Sequence, residues 1–536
     1  MPNVVELVPA NPDDEEPPRP PERFVGVGLV VQSEGGPSFQ KLRVLLDPGS
    51  EVRPGEFLAA WHGRRGKSDA LTVLQVDDCV EVNPNEAPEL AHARRALDLG
   101  PLMAREDSST RVFRVALCKT VEDLRLGEGS GAESSGAPEL LCRAADPVVR
   151  LPADLMTAAL GGLDDPDKGL HLGALLGTDT PVTLRPEILQ LHVGVFGNPG
   201  KGKSYAVGTI IEEMSRWDVP GILLDVNGEM VEAVRALGGD VIALPSPRFG
   251  LSLHNITGRE LMSIVPQVDP KTLYAELIET SHDVVRGRIA PGRAMTLDDV
   301  IAEIDDQGKR SKSSSVSIGA ARARVEALKG NPLIGKSFPF VHELMNKRLI
   351  CLDCRRLQLA QTRLVAAAAA REIQTYGRQC AGRAEEGKAT DDEAAWLAVL
   401  FIDEAHTVVP EAEASVSTNV LRELARMGRH SRTGLILASQ SPADLDKSIL
   451  KRLQTRLIFA LERDQLSSIG GVRSDLGDEL LEALPKLARG VCAVSGNGDQ
   501  IRHGFLMRVR ERRTPVGGGT PPVFASRTKR PLGPRP

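Results

Sequence analysis

The stretch Gly197-Asn-Pro-Gly-Lys-Gly-Lys-Ser204 constrains this chain more than any other part of it. The continuous apolar run QLHVGVF precedes it, and SYAVGTIIEEMSRW, with apolar residues at helical spacing, follows. A buried strand, a glycine-rich turn and a helix in that order put the turn where successive backbone N–H groups and the helix N-terminus converge, which makes an anion site suited to phosphate. Gly197, Gly200 and Gly202 give the backbone the freedom to make that turn. Lys203 is then expected to bridge the outer phosphates and Ser204 to turn its hydroxyl toward Mg²⁺. Asn198, Pro199, Lys201 and Tyr205 complete the stretch expected to wrap a nucleotide. Lys201 adds a second positive charge, for which phosphate contact and plain solvation both remain open.

From about Gly169 onward, strands and helices alternate. GILLDV, RLICLD, LAVLFID, GLILASQ and RLIFAL are apolar runs without polar alternation, as expected of parallel strands covered on both faces. The expected fold is therefore α/β, a doubly wound P-loop core, with a charged helical insertion over about 256–339. Before it, FVGVGLVVQ, KLRVLLDPG, EFLAAW, ALTVLQV, RVFRVAL and ELLCRA read as short strands separated by turn residues, the pattern of a small all-β barrel. A helical stretch over 87–105 and the flexible GEGSGAESSGA interrupt it. The expected divisions are an acidic, proline-rich disordered tail at 1–24, a β-barrel at 25–155, the ATPase-type domain at 156–510 and a basic flexible tail at 511–536.

Further chemistry gathers at strand ends. LAVLFI terminates in Asp403 and Glu404, the first placed to hold Mg²⁺ beside phosphate and the second to polarise an attacking water as general base. Loop solubility or a helix cap is the competing account of such paired acids. With a phosphate loop upstream the pair points to nucleoside-triphosphate hydrolysis, since a chain that only binds nucleotide has no use for Glu404. Gln440, after GLILAS, is placed to sense the terminal phosphate or position water, a strand-end hydrogen bond being its bland alternative. Asp225 ends the strand after the phosphate-loop helix, where ligands collect in open α/β sheets. LRELARMGRHSRTG carries Arg422, Arg426, Arg429, His430 and Arg432, either a solvated basic face or the source of an arginine finger for a neighbouring subunit.

Composition sets limits. A net charge of −6 argues against a surface built for indiscriminate nucleic-acid binding but leaves room for a basic channel. The seven cysteines are scattered, which suits a reducing cytoplasm, and the single CxxC, Cys351 and Cys354, lies in an apolar run without a second ligand pair at zinc spacing. No apolar run approaches the ~20 residues of a membrane span, and the acidic start is unlike a signal peptide.

Asp403-Glu404-Ala405-His406 also spells the box of two-domain DEAH helicases, but fewer than a hundred residues follow Gln440, too few for a second ATPase-like domain. A composite site must then come from another copy of the chain. The sequence resembles the HerA branch of the HerA/FtsK superfamily of ring-shaped DNA-pumping ATPases. The resemblance rests on GVGLVVQSEGG, KLRVLLDPGSEVRPGEFLAAWHG and ALTVLQVDDCVEVNP in the barrel region, on the entry into the phosphate loop, on ILLDVNGEM, on LFIDEAH and on ARMGRHSRTGLILASQSP. It implies Lys203 and Ser204 on phosphate and Mg²⁺, Asp403 and Glu404 as metal ligand and base, and Arg429 as the trans finger. It further implies ATP as substrate, a homohexamer, double-stranded DNA in a central pore, and a nuclease or other effector docked on the barrel in DNA end processing or antiviral defence. Asn198, Pro199, Lys201 and Ser439 depart from the family's commoner residues. Lys309, Arg310 and Lys312, with Arg286 and Arg288, are candidates to grip DNA, a solvated loop being the alternative. Two other readings share the same motifs: a nucleotide-gated assembly scaffold that activates an effector, and a conjugation-type coupling ATPase, disfavoured for want of membrane helices.

Overall fold

A computed structural model describes residues 20–517, apart from 32–36, 66–67, 83–112, 128–131, 164, 179, 267–268, 270, 291–292, 414, 470–471 and 497–499. The helix expected over 87–105 lies outside the described residues. The chain divides into two compact units, Met1–Arg185 with 471–487 and Val491–Arg508 forming the first, and Pro186–Gly470 with Ala488–Gly490 and Val509–Pro536 the second.

In the first unit, seven strands follow one another: β1 (Val25–Val31), β2 (Lys41–Leu46), β3 (Phe57–Arg65), β4 (Ser68–Val82), β5 (Phe113–Leu126), β6 (Ala132–Ser134) and β7 (Pro147–Arg150). They pair in the order β2-β1-β7-β3-β4-β5-β6, and a further antiparallel pairing of β2 with β5 closes six of them into a circuit. Alternation decides which side chains face in: Leu42, Val44 and Leu46 of β2 are buried while Lys41 and Arg43 are exposed. Val27, Val30, Leu58, Leu74, Val76, Ala116 and Val148 complete the core on that side. Burying Thr72 and Asp123 costs free energy unless both are bonded, and they are: Thr72 donates to Asp123 at 2.5 Å and lies 2.8 Å from His62 Nε2.

ELLCRA, expected as a strand, is not one. The N–H groups of Glu139 and Leu140 donate to the Asp123 carboxylate at 2.6 and 2.7 Å and have no ladder to join. The unit also extends past the expected boundary near 155, to Arg185, and recruits the late segments. Within it, Leu170–Leu175 and Pro181–Leu184 pair antiparallel, as do Val491–Gly496 and Phe505–Val509.

In the second unit, β8 (Val193–Phe196), β9 (Gly221–Asp225), β10 (Asp240–Ala243), β11 (Leu349–Asp353), β12 (Ala398–Ile402), β13 (Thr433–Ser439) and β14 (Thr455–Ile458) lie in the order β10-β11-β9-β12-β13-β8-β14. Every pairing among them is parallel. Six of the seven are buried along their whole length, which is why their sequences lack polar alternation. Because all run the same way, their carboxyl ends share one edge, and Gly197, Asp225, Asp403 and Gln440 all follow strands there.

Between β10 and β11 comes the helical insertion, with helices Gly258–Ile264, Leu273–Arg288, Leu297–Arg310 and Ser315–Glu326. Thr257 with Glu260 and Thr296 with Asp299 form capping boxes that start two of them. Its entry and exit are pinned together by the ring cluster Phe249, Phe338 and Phe340, centroids 5.0–5.9 Å apart, and by Leu251 N–H donating to Leu333 O at 2.7 Å. Cys351 and Cys354 are free, buried thiols at the end of β11, and burial pushes the ionisation of both upward, as for core cysteines. Among the described residues no helix is long and apolar enough to cross a membrane.

Candidate phosphate and metal site

The loop after β8 is held on the ends of its two neighbouring strands. Phe459 N–H donates to Phe196 O at 2.8 Å and Asn198 N–H to Ala460 O at 2.9 Å, while Gly197 N–H reaches Ser439 O at 3.4 Å. Gly197 and Gly202 have φ of +155° and +124°, and a Cβ on Gly197 would sit 2.6 Å from Phe459 Cβ, so glycine is required by both conformation and space. The helix Lys203–Arg216 begins directly after, with no side-chain cap on its first turn. Its free N–H groups face the loop, the arrangement that receives phosphate.

Lys203 folds back over the loop, its Nζ donating to Gly197 O at 2.7 Å and to Asn198 O at 3.4 Å. Burial lowers its pKa, opposed by the negative charge of Glu404, Asp403 and Glu229. Ser204 Oγ donates to the Glu229 carboxylate. Tyr205 does not face a free surface: its hydroxyl accepts the N–H of Arg512 at 2.6 Å. Arg512 belongs to a segment expected as a flexible tail, of which residues 511–517 lie instead along the phosphate-loop helix. Arg510 bridges Glu212 at 2.7 Å and Glu213 at 2.8 Å, and Glu212 also accepts the N–H of Thr514 at 2.7 Å.

Asp225 is fully buried and spends its carboxylate on the backbone, accepting N–H groups of Gly228 at 2.7 Å, Glu229 at 3.0 Å and Met230 at 2.8 Å. It therefore shapes the turn after β9 and is not free to meet a ligand, contrary to the sequence expectation. What that turn delivers is Asn227 and Glu229; the resemblance of ILLDVNGEM to the family's Asp-x-x-Gly-Glu element marks Glu229, but nothing in the sequence marks Asn227. Asn227 Nδ2 lies 3.1 Å from Asp403 Oδ2 and 3.4 Å from Glu404 Oε1.

Asp403, at the end of β12, is 7% exposed, and its pKa is pushed up to about 8 by burial, with Glu404, Asp225 and Glu229 adding like charge. Glu404 sits in the left-handed region at φ +45°, ψ +49°. Its Oε2 lies 3.4 Å from His406 Nδ1, which in turn lies 3.1 Å from Ser439 Oγ. Gln440 follows directly, half-buried, and the register of β8 against β13 sets Phe196 beside Ser439, so Gln440 stands next to the loop.

The donors Ser204, Asp403 and Glu229 are all hard oxygens. Among the described residues no group of three or more His, Cys, Asp or Glu side chains is arranged to hold a metal by itself. Hard oxygen donors suit Mg²⁺, which takes one or two protein ligands and fills its sphere with water and phosphate oxygens. The crowding of negative charge that raises Asp403 is what a divalent cation would offset.

Arg429 stands elsewhere. It precedes β13, whereas the loop faces that strand's far end, and seven residues of strand span roughly 20 Å. Of its basic neighbours, Arg422 is paired with Asp446 at 2.5 Å and Arg432 donates to Glu393 O at 3.2 Å, while Arg426, Arg429 and His430 are exposed. The candidates for gripping DNA are mostly offset by acids of the insertion: Arg288 and Arg310 with Glu303 at 2.8 and 3.5 Å, Lys309 with Asp306 at 4.0 Å. Arg286 donates to His254 O at 2.9 Å, and Lys312 is exposed.

Residues 170–373 match the family described as Helicase HerA, central domain, and 327–461 match the ATPase family associated with various cellular activities. The chain is 23% identical over 570 residues to the DNA double-strand break repair helicase HerA of Pyrococcus furiosus, covering 93% of this chain and 94% of that one. It is 22% identical over 339 residues to the protein of the same name from Sulfolobus acidocaldarius, covering 61% and 67%. Among solved structures, VirB4 of Thermoanaerobacter pseudethanolicus is similar with a TM-score of 0.48 at 15% identity, over 66% of this chain and 99% of that one. The plasmid coupling protein TrwB in complex with ADP and Mg²⁺ has a TM-score of 0.45 at 14% identity, over 63% and 88%.

Proposed function

Since the chain belongs to the HerA branch of the HerA/FtsK superfamily of P-loop ATPases, we propose that it is a ring-forming motor that hydrolyses ATP between subunits to move double-stranded DNA. In this reading it works with a nuclease or other effector, docked on the β unit, in DNA end processing or antiviral defence. The relatives' printed name, DNA double-strand break repair helicase, favours end processing.

The observation that carries the reading is the division of parts across the sheet. Lys203, Ser204, Asp403, Glu404 and Gln440 collect at its carboxyl edge, while Arg429 is exposed beyond the opposite end of β13. A phosphate cradle, a metal-facing pair and a base make half of a phosphoryl-transfer site, and an arginine that cannot reach it within one chain suits the other half, supplied by a neighbour.

On binding ATP, the ammonium of Lys203 leaves the carbonyls of Gly197 and Asn198 for the β- and γ-phosphates. Ser204, Asp403 and Glu229 would hold Mg²⁺, which supplies neutralisation of the charge on the phosphate oxygens. Glu404 orients and deprotonates the attacking water, and Gln440 reports the terminal phosphate to β13. Arg429 of one subunit offsets the charge that develops on the phosphoryl group held by the next.

ATP turnover of the purified chain, with and without linear duplex DNA at low and moderate salt, tests this. A rise with DNA that shrinks as salt increases, and is absent in Glu404→Gln, is the expected result, because contacts to phosphates release counterions. Turnover indifferent to DNA, or appearing only with an added protein partner, would instead favour the nucleotide-gated scaffold.

A further inference from the structure

We infer that Asn227 is the positioning residue for the general base, holding the Glu404 carboxylate in register with Asp403. The inference rests on the reading of Glu404 as base.

Two carboxylates at the end of one strand repel each other, and their separation is not fixed by the strand alone. Asn227 supplies what fixes it. Its neighbours, Asp403 Oδ2 at 3.1 Å and Glu404 Oε1 at 3.4 Å, are both acceptors, so the group facing them is the amide nitrogen. An NH₂ group has two hydrogens and can give one to each carboxylate, which a hydroxyl cannot. It is also uncharged: a lysine or arginine here would pair with Glu404 and weaken it as a base.

The delivery of that amide is over-determined. Asp225 accepts three backbone N–H groups from the turn immediately after Asn227, and the same turn brings Glu229 to Ser204. On its other side Glu404 meets His406, 3.4 Å from Oε2. Glu404 itself has the left-handed backbone, which a non-glycine residue adopts at a cost and which persists where surrounding contacts hold it. Glu404 Oε2 is buried without a hydrogen-bond partner, so on its strained backbone the carboxylate is held through Oε1, and Asn227 is the contact that ties it to the metal-facing acid.

Asn227 is itself exposed, so its replacement leaves the core intact. The test is steady-state ATP hydrolysis by Asn227→Ala, Asn227→Asp and Asn227→His, with Glu404→Gln alongside and nucleotide affinity measured separately with a fluorescent ATP analogue. Asn227→Ala should lower kcat about tenfold while KM and analogue affinity stay within about twofold. Asn227→Asp should lose more, since a third carboxylate replaces the donor, and Asn227→His should recover part of the loss through its ring N–H. If Glu404→Gln is inactive and Asn227→Ala keeps kcat within twofold, the assignment of Asn227 falls. A loss of analogue affinity equal to the loss of turnover, or no recovery in Asn227→His, would also overturn it. If Glu404→Gln retains turnover, the failure lies in the identity of the base.

Discussion

At the scale of single residues, Lys203 shows what the phosphate loop does with a buried charge. Its ammonium is satisfied by carbonyls of its own loop while burial lowers its pKa and three carboxylates oppose that shift. Those carbonyl contacts are weaker than charge-assisted bonds to phosphate, so the side chain is poised to transfer when phosphate arrives. Lys203→Ala should therefore reduce turnover by a factor of at least ~100 and weaken nucleotide binding, while the melting temperature without nucleotide changes by only a few degrees. Comparing turnover, analogue affinity and melting in one preparation checks this. Spacing alone places Lys203 and Ser204 on one loop, and Asp403 and Glu404 at one strand end, because contiguous residues at a strand end have few places to go. Asn227 was not legible, and Glu229 only through the resemblance of ILLDVNGEM to the family's Asp-x-x-Gly-Glu element. Their position depends on how Asp225 folds the turn beneath them, and nothing in VNGEM distinguishes a ligand-facing carboxylate from one bonded to backbone.

At the scale of elements, the apolar strands of the parallel sheet announced themselves, whereas β10, a short and partly exposed strand, did not. ELLCRA misled because its β-like composition is overridden by one buried carboxylate on β5, a contact with no local signature. One element boundary carries a testable charge. His192, just before β8, is buried and neutral: its Nε2–H donates to Ala425 O at 3.0 Å, and Leu435 N–H donates to its Nδ1 at 3.1 Å. It thereby joins the start of the phosphate-loop strand to the helix that leads to Arg429. Gly428 permits this, since a Cβ there would lie 2.3 Å from the His192 ring. Burial lowers the His192 pKa to about 4, with Arg452 acting the same way and the Ala425 bond opposing. Unfolding returns the ring to its ordinary value near 6.5, so the unfolded chain binds the extra proton first. The stabilisation is complete above pH 6.5 and is lost as pH falls toward 4, amounting to roughly 3 kcal/mol over the whole window. Denaturant midpoints at pH 7 and pH 5 should fall more for the wild type than for His192→Gln, which has no ring to titrate. Equal falls in both would assign the pH dependence to other groups.

At the scale of the whole molecule, the division of the chain was the least legible feature, because segments near residues 471–508 return to a unit built mostly from the first 185. Linear reading cannot anticipate such a return when the returning strands are as apolar as their neighbours. The functional counterpart is the separation of Arg429 from the phosphate loop. If hydrolysis needs the base of one subunit and the arginine of the next, Glu404→Gln and Arg429→Ala subunits are each inactive alone, since every interface in either ring lacks one part. Mixing them creates interfaces where a Glu404→Gln subunit presents an intact Arg429 to an Arg429→Ala subunit with an intact Glu404. With equal amounts and random assembly, half the subunits supply a sound arginine and half a sound base, so roughly a quarter of interfaces are complete. Co-refolded or subunit-exchanged mixtures should then regain turnover up to about a quarter of wild type, less if neighbouring sites must fire together. Were Arg429 to act on the nucleotide of its own chain, every subunit in the mixture would still lack either base or finger, and no ratio of the two variants would restore turnover.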